Sequence, residues 1–184
     1  LDVWPARRRL QRLGRSVQPR CLVVFVGNPR SGTTLVRSLL NAHPAVSISH
    51  ELNLLGHFAA GERSWAYLVG AMLDNASRFD ARPEWNGYDY AVVVAGGDAG
   101  RPLEVIGDKK AAVTTVQLTC HPALLDRLLA WSPVPVRFVH CVRHPLDAIT
   151  TKTRNNRRCH TDNVARYFEL EGTVEQVRRC VGDA

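Results

Sequence analysis

Cys21-Leu22-Val23-Val24-Phe25-Val26 runs directly into Gly27-Asn28-Pro29-Arg30-Ser31-Gly32-Thr33-Thr34, and that turn runs into Leu35-Val36-Arg37-Ser38-Leu39-Leu40. The first stretch is apolar and β-branched with no polar alternation, which reads as a strand buried on both faces of a parallel sheet. The last carries apolar residues at helical spacing and stops at His43-Pro44, since the residue before a proline avoids the helical conformation. Strand, Gly-rich turn and helix in that order suit an anion. Backbone N–H groups converge in the turn, and the start of the helix adds partial positive charge. An ordinary capped junction, with Ser31 or Thr33 as the cap, is the plain alternative. Two glycines, Arg30 and the paired threonines favour the anion site.

Outward from this core, Val46-Ser47-Ile48-Ser49 reads as a second short strand and completes a β-turn-α-β unit. Trp65, Leu68, Val69, Met72 and Leu73 recur at helical spacing and predict a helix over residues 64–79. Residues 80–102 are rich in Gly, Pro and Asp and read as loop, with an apolar stretch at 90–95 that could form a strand. Leu103-Glu104-Val105-Ile106 is a strand leading into Gly107-Asp108-Lys109-Lys110. An amphipathic helix follows over 122–131, then a buried strand over 136–142 that ends at Arg143. Helices are expected over 146–154 and 162–181. This alternation predicts an α/β protein, a P-loop-like three-layer α/β/α domain with a mainly parallel central sheet. A single domain is expected over 1–184, with a basic N-terminal segment at 1–19.

A chain of 184 residues can bury one core, and 45% apolar with 22% charged residues excludes a disordered chain. No apolar run nears the roughly 20 residues that span a bilayer, so no integral membrane segment is expected. No secretory h-region is present, which points to the cytoplasm. The sequence opens at Leu1 rather than Met, so an upstream segment is left open. Net charge is +7, with Lys only at 109, 110 and 152, so Arg supplies nearly all the positive charge. Arg suits planar anions such as phosphate and sulfate. A basic surface also fits nucleic acid, but no basic stripe interleaved with aromatics is present, and no nucleic-acid partner is expected. The cysteines at 21, 120, 141, 159 and 180 lack C-x-x-C spacing, which predicts a reducing compartment and no metal site. Cys21 and Cys141 fall in the apolar runs and read as small buried hydrophobes.

The turn has the spacing of a P-loop, G-x-x-x-x-G-K-[ST], with Thr33 in place of the Lys. That Lys normally reaches the β- and γ-phosphates of a nucleoside triphosphate, so its loss argues against an ATPase or GTPase. Arg30 supplies a cation instead, and Thr33 and Thr34 supply hydroxyls. Such a set fits a short phosphate or sulfate tail.

Pro29-Arg30-Ser31-Gly32-Thr33-Thr34-Leu35, followed by Arg37-Ser38-Leu39-Leu40-Asn41-Ala42-His43-Pro44, closely resembles the donor-binding motif of sulfotransferases. The likeness is to the bacterial sulfotransferase and tyrosylprotein sulfotransferase branch. A second block, Phe138-Val139-His140-Cys141-Val142-Arg143-His144-Pro145-Leu146-Asp147 with Thr151 beyond, is similar to the family's strand-Arg-x-Pro motif. There the family usually has Ser eight positions after the Arg, and here Thr151 keeps the spacing. The resemblance implies transfer of a sulfuryl group from 3′-phosphoadenosine 5′-phosphosulfate (PAPS) to an acceptor hydroxyl or amine. It implies no metal. It assigns the 5′-phosphosulfate to Arg30, Ser31, Gly32, Thr33 and Thr34, and the 3′-phosphate to Arg143 and Thr151.

Three catalytic groups follow from the same likeness. Glu51, after the second strand, stands where this branch carries its catalytic Glu, with His50 as the competing base. Lys109 ends a strand as the family's leaving-group cation does. Lys110 competes with it, because the Pro that usually follows the Lys is absent. Arg30 would stabilise charge on the sulfuryl group in transit. Family members run to roughly 250 residues, well above this chain though within the usual size of a domain, so the resemblance implies a further C-terminal part beyond Ala184.

The rival readings are a P-loop NTP-dependent kinase or nucleotide-binding protein, and a basic nucleic-acid-binding module. In the first, Leu103 to Asp108 would mimic a Walker B strand. The second would draw on Arg7 to Arg15 and on the cluster at Arg154 to Arg158. The acceptor is not legible. Its loops are expected within 52–102 and 152–162, where Asn155, Asn156 and His160 could line a pocket.

Overall fold

Every strand of the central sheet runs the same way, so the residues that follow the strand ends collect along one edge. The computed structural model describes residues 16–92, 101–156 and 159–182. In chain order its elements are β1 (Val17–Val26), α1 (Thr33–Asn41), β2 (Val46–His50), α2 (Leu54–Ala59) and α3 (Trp65–Ala81). A small hairpin follows, β3 (Glu84–Trp85) and β4 (Tyr88–Asp89). Then come β5 (Leu103–Lys109), α4 (Ala111–Cys120), α5 (Ala123–Trp131), β6 (Val136–His140), α6 (Pro145–Asn155) and α7 (His160–Val181). The sheet order is β2-β5-β1-β6, and each neighbouring pair is parallel.

Alternate residues of a strand point to opposite faces, and β1 buries both sets. Leu22, Val24 and Val26 pack against Leu54, Phe58, Met72, Leu118, Leu128 and Val177 of the helices on one side. Val23 and Phe25 pack with Ile48, Ala111 and Val36 of α1 on the other. Helices therefore flank the sheet on both faces, and the expected α/β architecture holds. Among the described residues no helix is long and apolar enough to cross a membrane.

Several boundaries differ from expectation. β1 begins at Val17, so the end of the segment 1–19 belongs to the sheet; its register shifts between Val17 and Cys21, around Pro19, which has no N–H to give. β6 stops at His140 rather than at residue 142, which leaves Cys141 just past the strand. Burial still raises the thiol pKa of both Cys21 (against a weaker opposing pull from Arg137) and Cys141. The stretch 80–102 contains the β3–β4 hairpin, while residues 90–92 form no strand. The helices at 54–59 and 111–120 have no counterpart among the expected elements. The basic stretch at Arg7 to Arg15, residues 93–95 and Arg157-Arg158 lie outside the described residues.

Candidate active site

The C-terminal ends of β1, β2, β5 and β6 open onto one cleft of about 620 Å³. This is where an open parallel sheet holds its ligand. The turn after β1 is anchored from below and behind. Gly27 N–H donates to Thr115 Oγ1 on α4 at 2.8 Å, and a side chain at Gly27 would run into the His140 ring, 2.4 Å from an ideal Cβ. Asn28 is buried, and its amide donates to Glu171 Oε1 at 2.7 Å and to the Tyr167 carbonyl at 3.3 Å, both on α7. Ser31 is not a helix cap. Its hydroxyl donates to the Asn28 carbonyl at 2.9 Å, and it does not line the cleft. The first N–H groups of any helix lack intrahelical acceptors, and with Gly32 as the N-cap of α1 no cap side chain accepts from them. Arg30, Gly32, Thr33 and Thr34 all line the cleft.

Arg30 and Arg143 share this cleft with Thr151. Arg143 Nη1 donates to the Arg30 carbonyl at 3.2 Å, so the segment after β6 touches the turn that follows β1. With the Asn155 amide oriented to present its oxygen, Arg30 donates to it from Nη2 at 2.7 Å and Nε at 3.3 Å. Asn156 instead pairs with Asn163 at 3.0 Å, and His160 is exposed at the start of α7.

On the other side of the turn lies a compact charge cluster. Lys109 is buried; its Nζ donates to Glu51 Oε1 at 2.6 Å and to Thr34 Oγ1 at 3.1 Å. Lys110 Nζ stands 3.2 Å from Glu51 Oε2. Burial alone would raise the Glu51 carboxyl, but the two ammonium groups outweigh it and hold the group below the usual carboxylate range. Burial pulls Lys109 down, partly offset by the charge of Glu51. Arg30 and Glu51 both adopt left-handed backbone, φ 68° and 58°, a conformation that costs about 1 kcal/mol or more outside glycine.

His50 does not share the cleft with Glu51. It is buried, stacked on Phe79 at 3.8 Å between ring centroids and edge-on to Trp85 at 4.7 Å. Burial first, then the charge of Lys109, press its pKa to about 3. Asp108 does not behave as a Walker B carboxylate either. It is buried, absent from the cleft lining, and accepts from Ser49 Oγ at 2.6 Å, Leu54 N at 2.8 Å and Leu52 N at 3.2 Å.

Sequence reasoning missed the aromatic wall beyond Glu51. Trp85, Asn86, Tyr88 and Tyr90 line the cleft there, carried by the β3–β4 hairpin. The Asn-Gly pair between Trp85 and Tyr88 was the available signal. It also missed Thr115 and Asn28, whose contacts are long in sequence and carry no motif.

A model of the sulfotransferase family matches residues 23–181. Protein-tyrosine sulfotransferase A of Caenorhabditis elegans is 38% identical over 66 residues, covering 29% of this chain and 17% of that protein. The fold is similar to the sulfotransferase domain from the Synechococcus PCC 7002 olefin synthase, with TM-score 0.51 and 19% identity, over 91% of this chain and 64% of that one. The chain thus spans under a fifth of the worm protein it matches, and just under two thirds of the cyanobacterial domain.

Proposed function

The chain belongs to the sulfotransferase family, and from that premise we propose that it moves a sulfuryl group from PAPS to an acceptor hydroxyl or amine. One observation carries the reading: Arg30, Arg143 and the Glu51–Lys109 pair, from four different strand ends, face a single cleft. The 5′-phosphosulfate lies on the amides of Thr33 and Thr34 with Arg30 beside it. The 3′-phosphate takes the guanidinium of Arg143, with the Thr151 hydroxyl alongside.

Transfer is in line. The acceptor oxygen or nitrogen forms a bond to sulfur as the bond from sulfur to the 5′-phosphate oxygen breaks, and the electron pair stays on that phosphate. Lys109 and Arg30 offset the charge that builds there. Glu51, held ionised by its lysines, takes the acceptor proton. The product is adenosine 3′,5′-bisphosphate. Buried Lys109 touches both Thr34, at the donor end, and Glu51, at the acceptor end. Proton uptake by Glu51 would therefore free the ammonium as the leaving group needs it.

Calorimetric titration tests donor binding. Adenosine 3′,5′-bisphosphate should bind, and Mg²⁺-ATP should bind far more weakly. Arg30→Ala and Arg143→Ala should each lose about 1.5–3 kcal/mol of bisphosphate affinity. Preference for Mg²⁺-ATP would return the chain to the kinase reading. Glu51→Gln should keep bisphosphate affinity while transfer falls by roughly 10²–10⁴; undiminished turnover of PAPS would remove Glu51 as the base.

A further inference from the structure

Asp108 lies under the turn that carries Glu51, and no step of the transfer uses it. Its two oxygens receive three donors that bracket position 51: the Ser49 hydroxyl before it, and the Leu52 and Leu54 amides after it. Within that bracket Glu51 and Asn53 both have positive φ, 58° and 68°. Such backbone persists only where the surroundings over-determine it. Further ties are Glu51 N–H to the Lys109 carbonyl at 3.0 Å, made by the residue next to Asp108 on β5, Lys110 Nζ to the Glu51 carbonyl at 3.4 Å, and His50 N–H to Asn75 Oδ1 at 2.6 Å. The Leu52 and Leu54 amides each take a different oxygen of Asp108, so an NH₂ group in either orientation would oppose one of them. The Ser49 hydroxyl reaches both Asp108 Oδ1, at 2.6 Å, and the Gly107 carbonyl, at 3.0 Å, and burial raises the Asp108 carboxyl above its ordinary value against these hydrogen bonds.

We propose that Asp108 is a positioning residue, a buried carboxyl group that holds the 49–54 turn in its left-handed form and so keeps the Glu51 side chain on Lys109 and facing the donor. The catalytic half of this statement rests on the reading of Glu51 as the base; the conformational half does not. The charged and titratable groups around Glu51 are Lys109, Lys110, His50 and Asp108 itself.

Asp108→Asn separates the two halves, because it keeps the shape but turns an NH₂ toward a donor. A crystal structure of this variant should show Glu51 out of the left-handed region and its contact with Lys109 open. An unmoved turn would overturn the proposal. In kinetics, with PAPS and 4-nitrophenol or water as probe acceptor, kcat should fall by about 100-fold, the usual cost of a group misplaced by about 1 Å. Affinity for adenosine 3′,5′-bisphosphate should stay within about twofold of wild type, a change well below the tenfold of one full interaction. The acidic limb of the pH profile should move to higher pH, since Glu51 would no longer be held down by its lysines. A loss that only tracks a smaller folded fraction would leave that limb in place, and would overturn the proposal. Asp108→Asn should add nothing to Glu51→Gln. If Glu51→Gln alone turns over normally, the base assignment falls, while the crystal structure still decides the positioning. Should Asp108→Asn fail to fold, Ser49→Ala removes one donor only and should lower kcat by roughly three- to tenfold. No change in its kcat or its acidic limb would overturn the proposal.

Discussion

At position 50 an imidazole is stacked on Phe79 and kept neutral, while at position 51 a carboxylate is drawn into the cleft by two lysines. The strand ends made both residues visible in the sequence, but the choice between them depends on the turn of backbone at φ 58°, which no local pattern announces. The Lys109–Lys110 pair divides in the same way: Lys109 is buried against Thr34, and Lys110 reaches Glu51 from a more exposed position. His50 stays neutral in the folded chain down to about pH 3, whereas the unfolded chain protonates it near 6.5. Between those values the unfolded state holds the additional proton, so stability rises with pH and falls on acidification. The slope approaches about 1.4 kcal/mol per pH unit below 6.5. His50→Phe has no proton to gain, and should flatten the pH dependence of urea unfolding between roughly pH 6.5 and 5. A slope as steep as wild type would assign that titration elsewhere. Glu51 acts with the same sign at lower pH: its contribution is present above the unfolded carboxylate value and is lost as pH falls through the depressed folded one.

Among the elements, the buried strands and the phosphate turn were legible because their signals are local: an unbroken β-branched run, two spaced glycines, and a helix stopped before Pro44. The β3–β4 hairpin was hidden by composition, since a stretch rich in Gly, Pro and Asp reads as loop. Its turn nonetheless carries the Asn-Gly signature, with Asn86 and Gly87 at φ 53° and 79°, as a tight hairpin with the native strand twist requires. Gly87→Val should strain that turn by about 1–2 kcal/mol. Trp85 and Tyr88 would loosen, so KM for a probe acceptor should rise while bisphosphate affinity holds. Equal loss of both would show that the hairpin supports the donor side as well. The helix at 111–120 was missed for a different reason. It is buried against β1 and α7, and its polar residues, Thr115 and Thr119, point inward to hydrogen bonds rather than outward to water. That inverts the amphipathic pattern by which helices are read.

Over the whole molecule, the segments that follow four strands converge at the cleft. A ligand that binds there should therefore stabilise the fold as a unit. At a hundred times its Kd, adenosine 3′,5′-bisphosphate should add about 2.7 kcal/mol, or roughly 5–11 °C in Tm for a domain of this size. Arg30→Ala should lose most of that shift in a thermal melt at the same ligand concentration. A full shift in the variant would place the ligand elsewhere. The left-handed backbone at Arg30 carries a different consequence. Glycine would rest there without strain, and apart from the contact to Asn155 little else in the fold would miss the guanidinium. A laboratory evolution campaign screened by heat challenge alone would therefore drift toward Arg30→Gly and enrich hardier clones that had given up their substrate. Screening for turnover in the same round is the safeguard that this one dihedral angle recommends.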